Sequence, residues 1–379
     1  MVLCSNICCG GWGFGLKSRG FALLGLKLAL VRLCWKGKAC NCCRIMVKAK
    51  VWILRKHFDG FPKESDFEMK EEELPEVKDG EVMLETIFLS LDAYMRALSK
   101  ALINEGDVQF GGQVAKVIQS KNPAYPVGCY VLAPCGWRTH SVTNGNGLFG
   151  QIMTRVLPDW PQDISLSMSL GALGMTGLTA LYGVEEVLQV KPGEIVLVSG
   201  AAGAVGTMVG QICKMKGCKV VGSAGSEEKV SFLKEVGFDH VFNYRTVSSL
   251  DEALKEASPE GYNCYFEYVG GPFFTAALNQ MKMEGRIAVC GAISLYNDNT
   301  PQMCPYPHMA LLTRRLKIQG FQTNQWPEKD EASTRRLVAW MKEGKIKAKE
   351  KITEGFENTP AAFIRMLKGT DLGKALVKV

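Results

Sequence analysis

The chain has 379 residues, 47% of them hydrophobic, with 45 Lys and Arg against 38 Asp and Glu. The length predicts two domains, and the apolar share predicts a well-filled core. The formal charge of +7 comes from one end: residues 1–45 carry seven Lys or Arg and no acid, leaving 38 basic and 38 acidic residues beyond them, which excludes an overall basic bias towards nucleic acid.

The same 45 residues hold seven of the fourteen cysteines, and the other seven are scattered from Cys129 to Cys304 without a CxxC pair. That scatter predicts reduced thiols in a cytoplasmic protein rather than a disulfide framework. Cys40, Cys42 and Cys43 are crowded but lack a partner cluster for zinc. Phe21 to Cys34 is apolar but broken by Lys27 and Arg32, too short and too charged to span a membrane. Two readings of residues 1–45 stand. The preferred one is an extension outside the functional protein, with Met46 as the true start. The second is a transit peptide for an organelle such as the mitochondrion, its cysteines open to acylation.

From Met46 to about residue 168, short β-like runs dominate: Ala49–Leu54, Glu81–Leu89, Gln113–Ile118 and Cys129–Ala133. Turn signals such as Lys78-Asp79-Gly80 and Asn122-Pro123 separate them, so a compact β domain is expected, with 144–150 a polar, glycine-rich loop. The pattern then changes. Residues 170–188 read as helix. Strands are expected at 194–199, 219–223, 240–243, 263–269, 286–290 and 316–321, with helices at 205–216, 227–236, 249–257, 272–282 and 308–314. Six strands with crossover helices predict an α/β, doubly wound parallel sheet. A further helix is expected at 332–343, and 356–379 reads as helix then strand.

The most informative stretch is Lys191 to Ser223. A short β-branched apolar run leads into Gly200, Gly203 and Gly206, and Val205, Met208, Val209 and Ile212 then repeat as one buried helix face. A strand feeding a glycine turn that opens a helix aims free N–H groups and the positive helix end at one point, which is a phosphate site. The second strand of this unit ends Val221-Gly222-Ser223-Ala224-Gly225, with no acid to take a ribose 2′-hydroxyl. A 2′-phosphate suits that tip and wants a cation nearby. Lys229 is one, with Glu227 and Glu228 complicating its field. NADPH is therefore the expected cofactor.

The chain from Met46 on has only four histidines, His57, His140, His240 and His308, none in a Gly-His-Glu setting, and no four-cysteine lobe. No metal site is expected. Without a Lewis acid, reduction of a simple carbonyl lacks its usual electrophile, whereas an activated C=C bond needs only a donor at the carbonyl oxygen that receives the charge.

The motifs LDAYMR (91–96), GAAGAVG (200–206), SEEK (226–229), NYRT (243–246), GRIAVCGAISLYN (285–297) and EGFENTPAAFIRMLKGTDLGKALVKV (354–379) occur together and in order. In them the chain resembles the zinc-independent medium-chain dehydrogenase/reductase family over about 46–379. The resemblance implies a GroES-like catalytic domain at 46–168, a Rossmann NADP-binding domain at 169–355, and a return of 356–379 to the first domain. It implies NADPH-dependent reduction of α,β-unsaturated ketones and aldehydes such as 15-oxoprostaglandins and lipid alkenals; oxidation of the leukotriene B4 12-hydroxyl stays open. Homodimers are common among such proteins, and no membrane span or nucleic-acid partner is implied.

By the same resemblance, Gly200, Gly203, Ala204, Val205 and Gly206 meet the cofactor, and Lys229 and Tyr244 hold its 2′-phosphate. Tyr268, the run Cys290, Gly291, Ala292, Ile293, Ser294 and Leu295, then Phe321, Gln322, Thr323 and Asp371 complete its contacts. Tyr296 is the expected donor to the substrate oxygen, and Tyr94 a second pocket-lining tyrosine. Asp92 and Arg96 are expected as a structural pair or turn. Trp326, Tyr296, Tyr306 and Met303 offer an apolar wall for a lipid chain. Three positions depart from the family pattern: Tyr268 and Asp371 each stand where Asn is usual, and Ala93 where Pro is usual. A bulky Tyr268 would crowd the cofactor, and an acid at 371 would oppose its phosphates. The alternatives are a quinone reductase of the same superfamily and a cofactor-binding paralogue without turnover.

Overall fold

A computed structural model of the chain describes residues 47–146, 154–157, 160–300 and 306–379. The extension 1–45, most of the expected loop at 144–150, and Met303 lie outside the described residues.

The first domain is built on β1 (Lys48–Leu54), β2 (Phe67–Glu73), β3 (Val82–Ser90), β4 (Gln113–Ser120), β5 (Tyr130–Ala133), β6 (His140–Thr143) and β7 (Arg155–Val156). The second carries β8 (Ile195–Val198), β9 (Lys219–Ala224), β10 (His240–Asn243), β11 (Tyr262–Glu267), β12 (Met281–Val289) and β13 (Lys317–Gly320). The chain ends with β14 (Glu350–Glu354) and β15 (Lys374–Lys378). These last two return to the first domain, where the order is β14-β15-β3-β4-β5-β7, with β6 also paired to β3 and β1 paired to β2 in a separate ribbon.

The second domain is a six-stranded parallel sheet in the order β10-β9-β8-β11-β12-β13. All four residues of β8 are buried, as expected of a central strand with helices on both faces. Val196 and Val198 join one core with the helix Ala204–Met215; Ile195 and Leu197 point the other way, into the core under Leu250–Ala257 and Gly271–Asn279. The period-two alternation of strand side chains divides one apolar run between two layers. Strand order reverses between β8 and β11, and their carboxyl ends open a crevice there.

Two expectations fail for physical reasons. The single helix expected at 170–188 is a 3-10 turn at Leu166–Leu170, a helix at Met175–Tyr182 and a π-helical turn at Gly183–Leu188. The break leaves Gly183 so close to the core that a Cβ there would lie 2.4 Å from the Phe266 ring. Strand β2, absent from the expected set, buries only Phe67 outright and presents charged residues along the rest, so no apolar alternation announces it. The first-domain core is aromatic: Trp137 stacks on Phe67 at 5.3 Å between centroids and meets Phe363 edge-on at 5.5 Å. Phe363 comes from the helix Thr359–Leu367, so the carboxyl end of the chain fills this core. No helix among the described residues is long and apolar enough to cross a membrane.

Candidate active site

The crevice begins at the glycine turn. Gly200 adopts φ +56, a conformation costly to any residue with a side chain. A Cβ on Gly206 would sit 2.7–2.9 Å from Gly200 O and Ala201, so the helix can rise this close to the turn only with glycine there. The helix Ala204–Met215 has no side-chain cap on its N-terminus, so the N–H groups of its first turn are available to an anion. The carboxyl-terminal segment laps this turn, with Gly373 N–H donating to Ala202 O at 3.1 Å.

At the tip of β9, Ser226 caps the helix Glu227–Glu235 by accepting from Lys229 N–H. A Cβ at Gly225 would lie 2.8 Å from the Tyr244 hydroxyl and 3.2 Å from Arg245 Nε, so this tip faces a phenol and a guanidinium. Arg245 rests over the Tyr244 ring at 5.8 Å. Lys229 Nζ donates to Gly369 O at 2.8 Å. Burial, then the repulsion of Arg245, lowers the pKa of Lys229. Two cations, Lys229 and Arg245, are held near each other here, and the carboxylates of Asp371 and Glu228 offset part of their repulsion at Lys229. Glu227 accepts from Asn243 Nδ2 at 2.8 Å, which satisfies one oxygen of its carboxylate.

The expected conflict at Asp371 is also met locally. Arg365 Nε donates to Asp371 Oδ1 at 2.8 Å, pairing a side chain only 6% exposed, while the second carboxylate oxygen has no hydrogen-bond partner. The acid is thus matched by a cation of the preceding helix.

Tyr268 follows β11 at the reversal of strand order. Its ring lies against the glycine turn, with Cδ1 3.2 Å from where a Gly200 Cβ would be. Burial pushes its hydroxyl pKa up, and the negative charge of Asp92 adds to that. The buried carboxylate of Glu267 accepts from Val269 N–H at 2.5 Å and Gly270 N–H at 2.7 Å, fixing the turn that carries Tyr268. That turn fixes the next loop: Ile293 N–H donates to Tyr268 O at 3.1 Å, and Ser294 gives both its N–H (3.0 Å) and its hydroxyl (2.6 Å) to Val269 O.

Tyr296 closes the loop after β12. Its hydroxyl oxygen accepts from Ala292 N–H at 3.2 Å and lies 2.8 Å from where a Gly291 Cβ would be. The oxygen is therefore occupied as an acceptor while its proton remains free to donate. Burial raises the pKa of this hydroxyl, with Ala292 N–H pulling the other way, so it stays protonated at neutral pH. Beside it, burial pushes the Cys290 thiol up to about 12, which keeps it un-ionised.

Known proteins of one family match the chain over most of its length. It is 56% identical to prostaglandin reductase 1 of Bos taurus over 335 residues, covering 88% of this chain and 100% of that protein. The chain belongs to the prostaglandin reductase 1 family. Family models described as the N-terminal domain of oxidoreductase and as zinc-binding dehydrogenase match residues 50–150 and 204–343, which sets the family within the medium-chain dehydrogenase/reductases. A 2-alkenal reductase (NADP(+)-dependent) of Nicotiana tabacum is 38% identical, with 88% of this chain and 98% of that protein covered. The crystal structure of CurA in complex with NADPH from Vibrio vulnificus superposes with a TM-score of 0.81 at 34% identity, covering 87% of this chain and 99% of that one.

For a member of the prostaglandin reductase 1 family, the residues expected at the site fall into three groups. The glycine turn, Lys229, Tyr244, Tyr268, the 290–296 loop and Asp371 all lie along the crevice or on the segment that laps it. Tyr94 packs on Phe110 at 5.9 Å in the first domain, with burial holding its hydroxyl proton firmly. Of the expected apolar wall, Trp326 packs half-buried on Tyr182 and Phe321 against the second-domain core, Tyr306 is 87% exposed, and Met303 lies outside the described residues. The ring of Phe321 likewise meets Phe266, leaving the exposed Gln322 and the half-buried Thr323 after it. Asp92 and Arg96 lie in a turn, with Met95 N–H donating to Asp92 O at 3.1 Å, but their side chains do not pair. Asp92 is buried with Lys374 and Ser90, whereas Arg96 reaches Gly60 and Asn297. Sequence reading missed Arg245, which stood one residue beyond Tyr244, and Lys374 and Asn297, whose partners lie some hundreds of residues away in the chain. No group of three or more His, Cys, Asp or Glu side chains among the described residues is arranged to hold a metal ion.

Proposed function

We propose that this chain reduces the activated C=C bond of α,β-unsaturated ketones and aldehydes with NADPH, 15-oxoprostaglandins and lipid alkenals being the substrate classes. The supporting observation is Tyr296, a protonated phenol beside the crevice whose oxygen is held by Ala292 N–H and whose proton is free. The names of the relatives, a prostaglandin reductase and an NADP-dependent alkenal reductase, support the same reading. Gly203, Gly206 and the helix end after them would hold the pyrophosphate. Lys229, Tyr244 and Arg245 would hold the 2′-phosphate, and the loop 290–295 with Tyr268 would flank the nicotinamide. When bound, NADPH supplies the hydride. Tyr296 donates a hydrogen bond to the substrate carbonyl oxygen, where negative charge develops as the β-carbon is reduced. The buried surroundings strengthen that bond by excluding water.

The six cysteines among the described residues are all free, which supports a reducing compartment, the cytoplasm. The exposed edge strand β13, with Met309 and Leu312 exposed on the neighbouring helix His308–Arg314, supports a homodimer through that edge. The test is loss of NADPH absorbance with a 15-oxoprostaglandin and with a medium-chain alkenal, NADH serving as control. NADPH-selective turnover bears out the proposal; tight NADPH binding without turnover refutes it and favours a non-catalytic paralogue.

A further inference from the structure

The loop carrying Tyr296 is gripped from both sides. Upstream, Ile293 and Ser294 are tied to the Tyr268–Val269 turn of the second domain. Downstream, the grip comes from the first domain. Arg96, on the short helix Tyr94–Ala97, donates through Nη2 to Gly60 O at 2.8 Å and through Nε to Asn297 Oδ1 at 3.1 Å. Its guanidinium lies over the Phe58 ring, 5.4 Å from the centroid, which orients the fork. A second tie runs beside it: Gly60 N–H donates to Asn299 Oδ1 at 3.0 Å, and Asn299 Nδ2 donates to Asp59 Oδ1 at 2.6 Å. Asn297 directly follows Tyr296. A one-residue separation leaves the phenol no slack once Asn297 is fixed.

We propose that Arg96 is a positioning residue for the reaction: by holding Asn297 it places the Tyr296 hydroxyl against the substrate carbonyl and locks the first domain onto the reactive end of the crevice. The inference rests on the reading of Tyr296 as donor given above. The planar fork is what the geometry uses, since one side chain serves two acceptors in fixed directions; a lysine ammonium on a flexible stem has no such fork. Neither Arg96 nor Asn297 need touch substrate. Their effect passes through the position of one hydroxyl, and a displacement near 1 Å is costly at a reacting centre.

The test uses the full chain and four variants: Arg96→Ala, Arg96→Lys, Asn297→Ala and Tyr296→Phe, with the double variants carrying Tyr296→Phe. Asn297→Ala cuts the same bond from the loop side, so it guards against a folding defect in Arg96→Ala. Expected is a fall in kcat of about tenfold for Arg96→Ala and Asn297→Ala, a smaller one for Arg96→Lys, with the NADPH Kd from protein fluorescence unchanged. In the Tyr296→Phe background those losses should vanish, because there is no hydroxyl left to misplace. Amide hydrogen exchange across 293–299 should quicken in Arg96→Ala and Asn297→Ala but not elsewhere in the second domain. Equal losses with and without the Tyr296 hydroxyl would overturn the proposal, as would unchanged exchange. If the wild-type chain turns over no enone, the reductase reading falls, and the exchange measurement alone decides whether Arg96 fixes the loop.

Discussion

The two ends of the crevice are built in opposite ways. At the tip of β9, Gly225, Ser226, Lys229, Tyr244 and Arg245 lie within twenty-one residues of one another, and one strand–helix–strand unit brings them together. At the reactive end, Arg96 bonds Asn297 across 201 positions of sequence. The first end is exposed and local: Tyr244 is 41% exposed. The second is distributed, with Glu267 buried, Tyr296 half-buried, and Glu267, Val269, Ser294 and Tyr296 tied together through the backbone of two turns. A local, wet site can lose one member and keep its shape. A distributed site transmits each loss to its neighbours.

The sharpest test of that contrast is Phe363→Ala. Phe363 is fully buried against Trp137 and joins the carboxyl-terminal helix to the first-domain core. Its truncation should cost about 3–5 kcal/mol in denaturant unfolding. Tyr296→Phe comes next, and kcat for enone reduction should fall by about 100-fold with little change in NADPH Kd. At the other end, Lys229→Ala or Arg245→Ala should each raise the Kd for NADPH by about tenfold and leave that for NADH unaltered. A comparable loss of NADH binding would show that this end is not local after all.

The pH dependence separates the ends further. A bound 2′-phosphate favours the charged form of Lys229, whose pKa is already depressed by burial and by Arg245. NADPH affinity should therefore decline as pH rises through that lowered pKa, with NADH affinity flat, and Lys229→Arg should remove the slope. The smallest effect expected is for Asp371→Asn, about twofold in NADPH Kd, because Arg365 already neutralises the acid. A large gain in affinity would mean that the unpartnered Oδ2 opposes the cofactor directly.

Legibility in the sequence follows the same division. The strand–turn–helix at 195–215 and the neutral tip of β9 were readable because period, glycine spacing and the missing acid are all local signals. The helix His308–Arg314 and the strand His240–Asn243 fell at their expected bounds for the same reason. Strand β2 was hidden by its charge, and 170–188 by glycines whose packing partners, such as Phe266, are remote in sequence. Asp92 and Arg96 form the turn that their proximity in LDAYMR suggests, but not the pair, because folding gives each side chain a partner about 200 to 280 residues on. A lipid-facing wall was expected from residue type alone. Trp326 instead packs half-buried on Phe321 against the second-domain core, a placement that a list of aromatic residues cannot distinguish from a binding surface.

One feature of the fold bears on how the protein is made. The last dozen residues contribute β15, which pairs with β3, the Gly373 bond to the glycine turn, and Lys374, whose ammonium is buried with Asp92. All three contacts await the synthesis of residues 373–378. Until those residues are made, Asp92 lacks its counter-ion, β3 lacks its neighbour β15 and the phosphate turn lacks its strap. Cofactor can thus stabilise only a chain that carries residues 373–378, and a variant without them should be removed by degradation before it competes for NADPH.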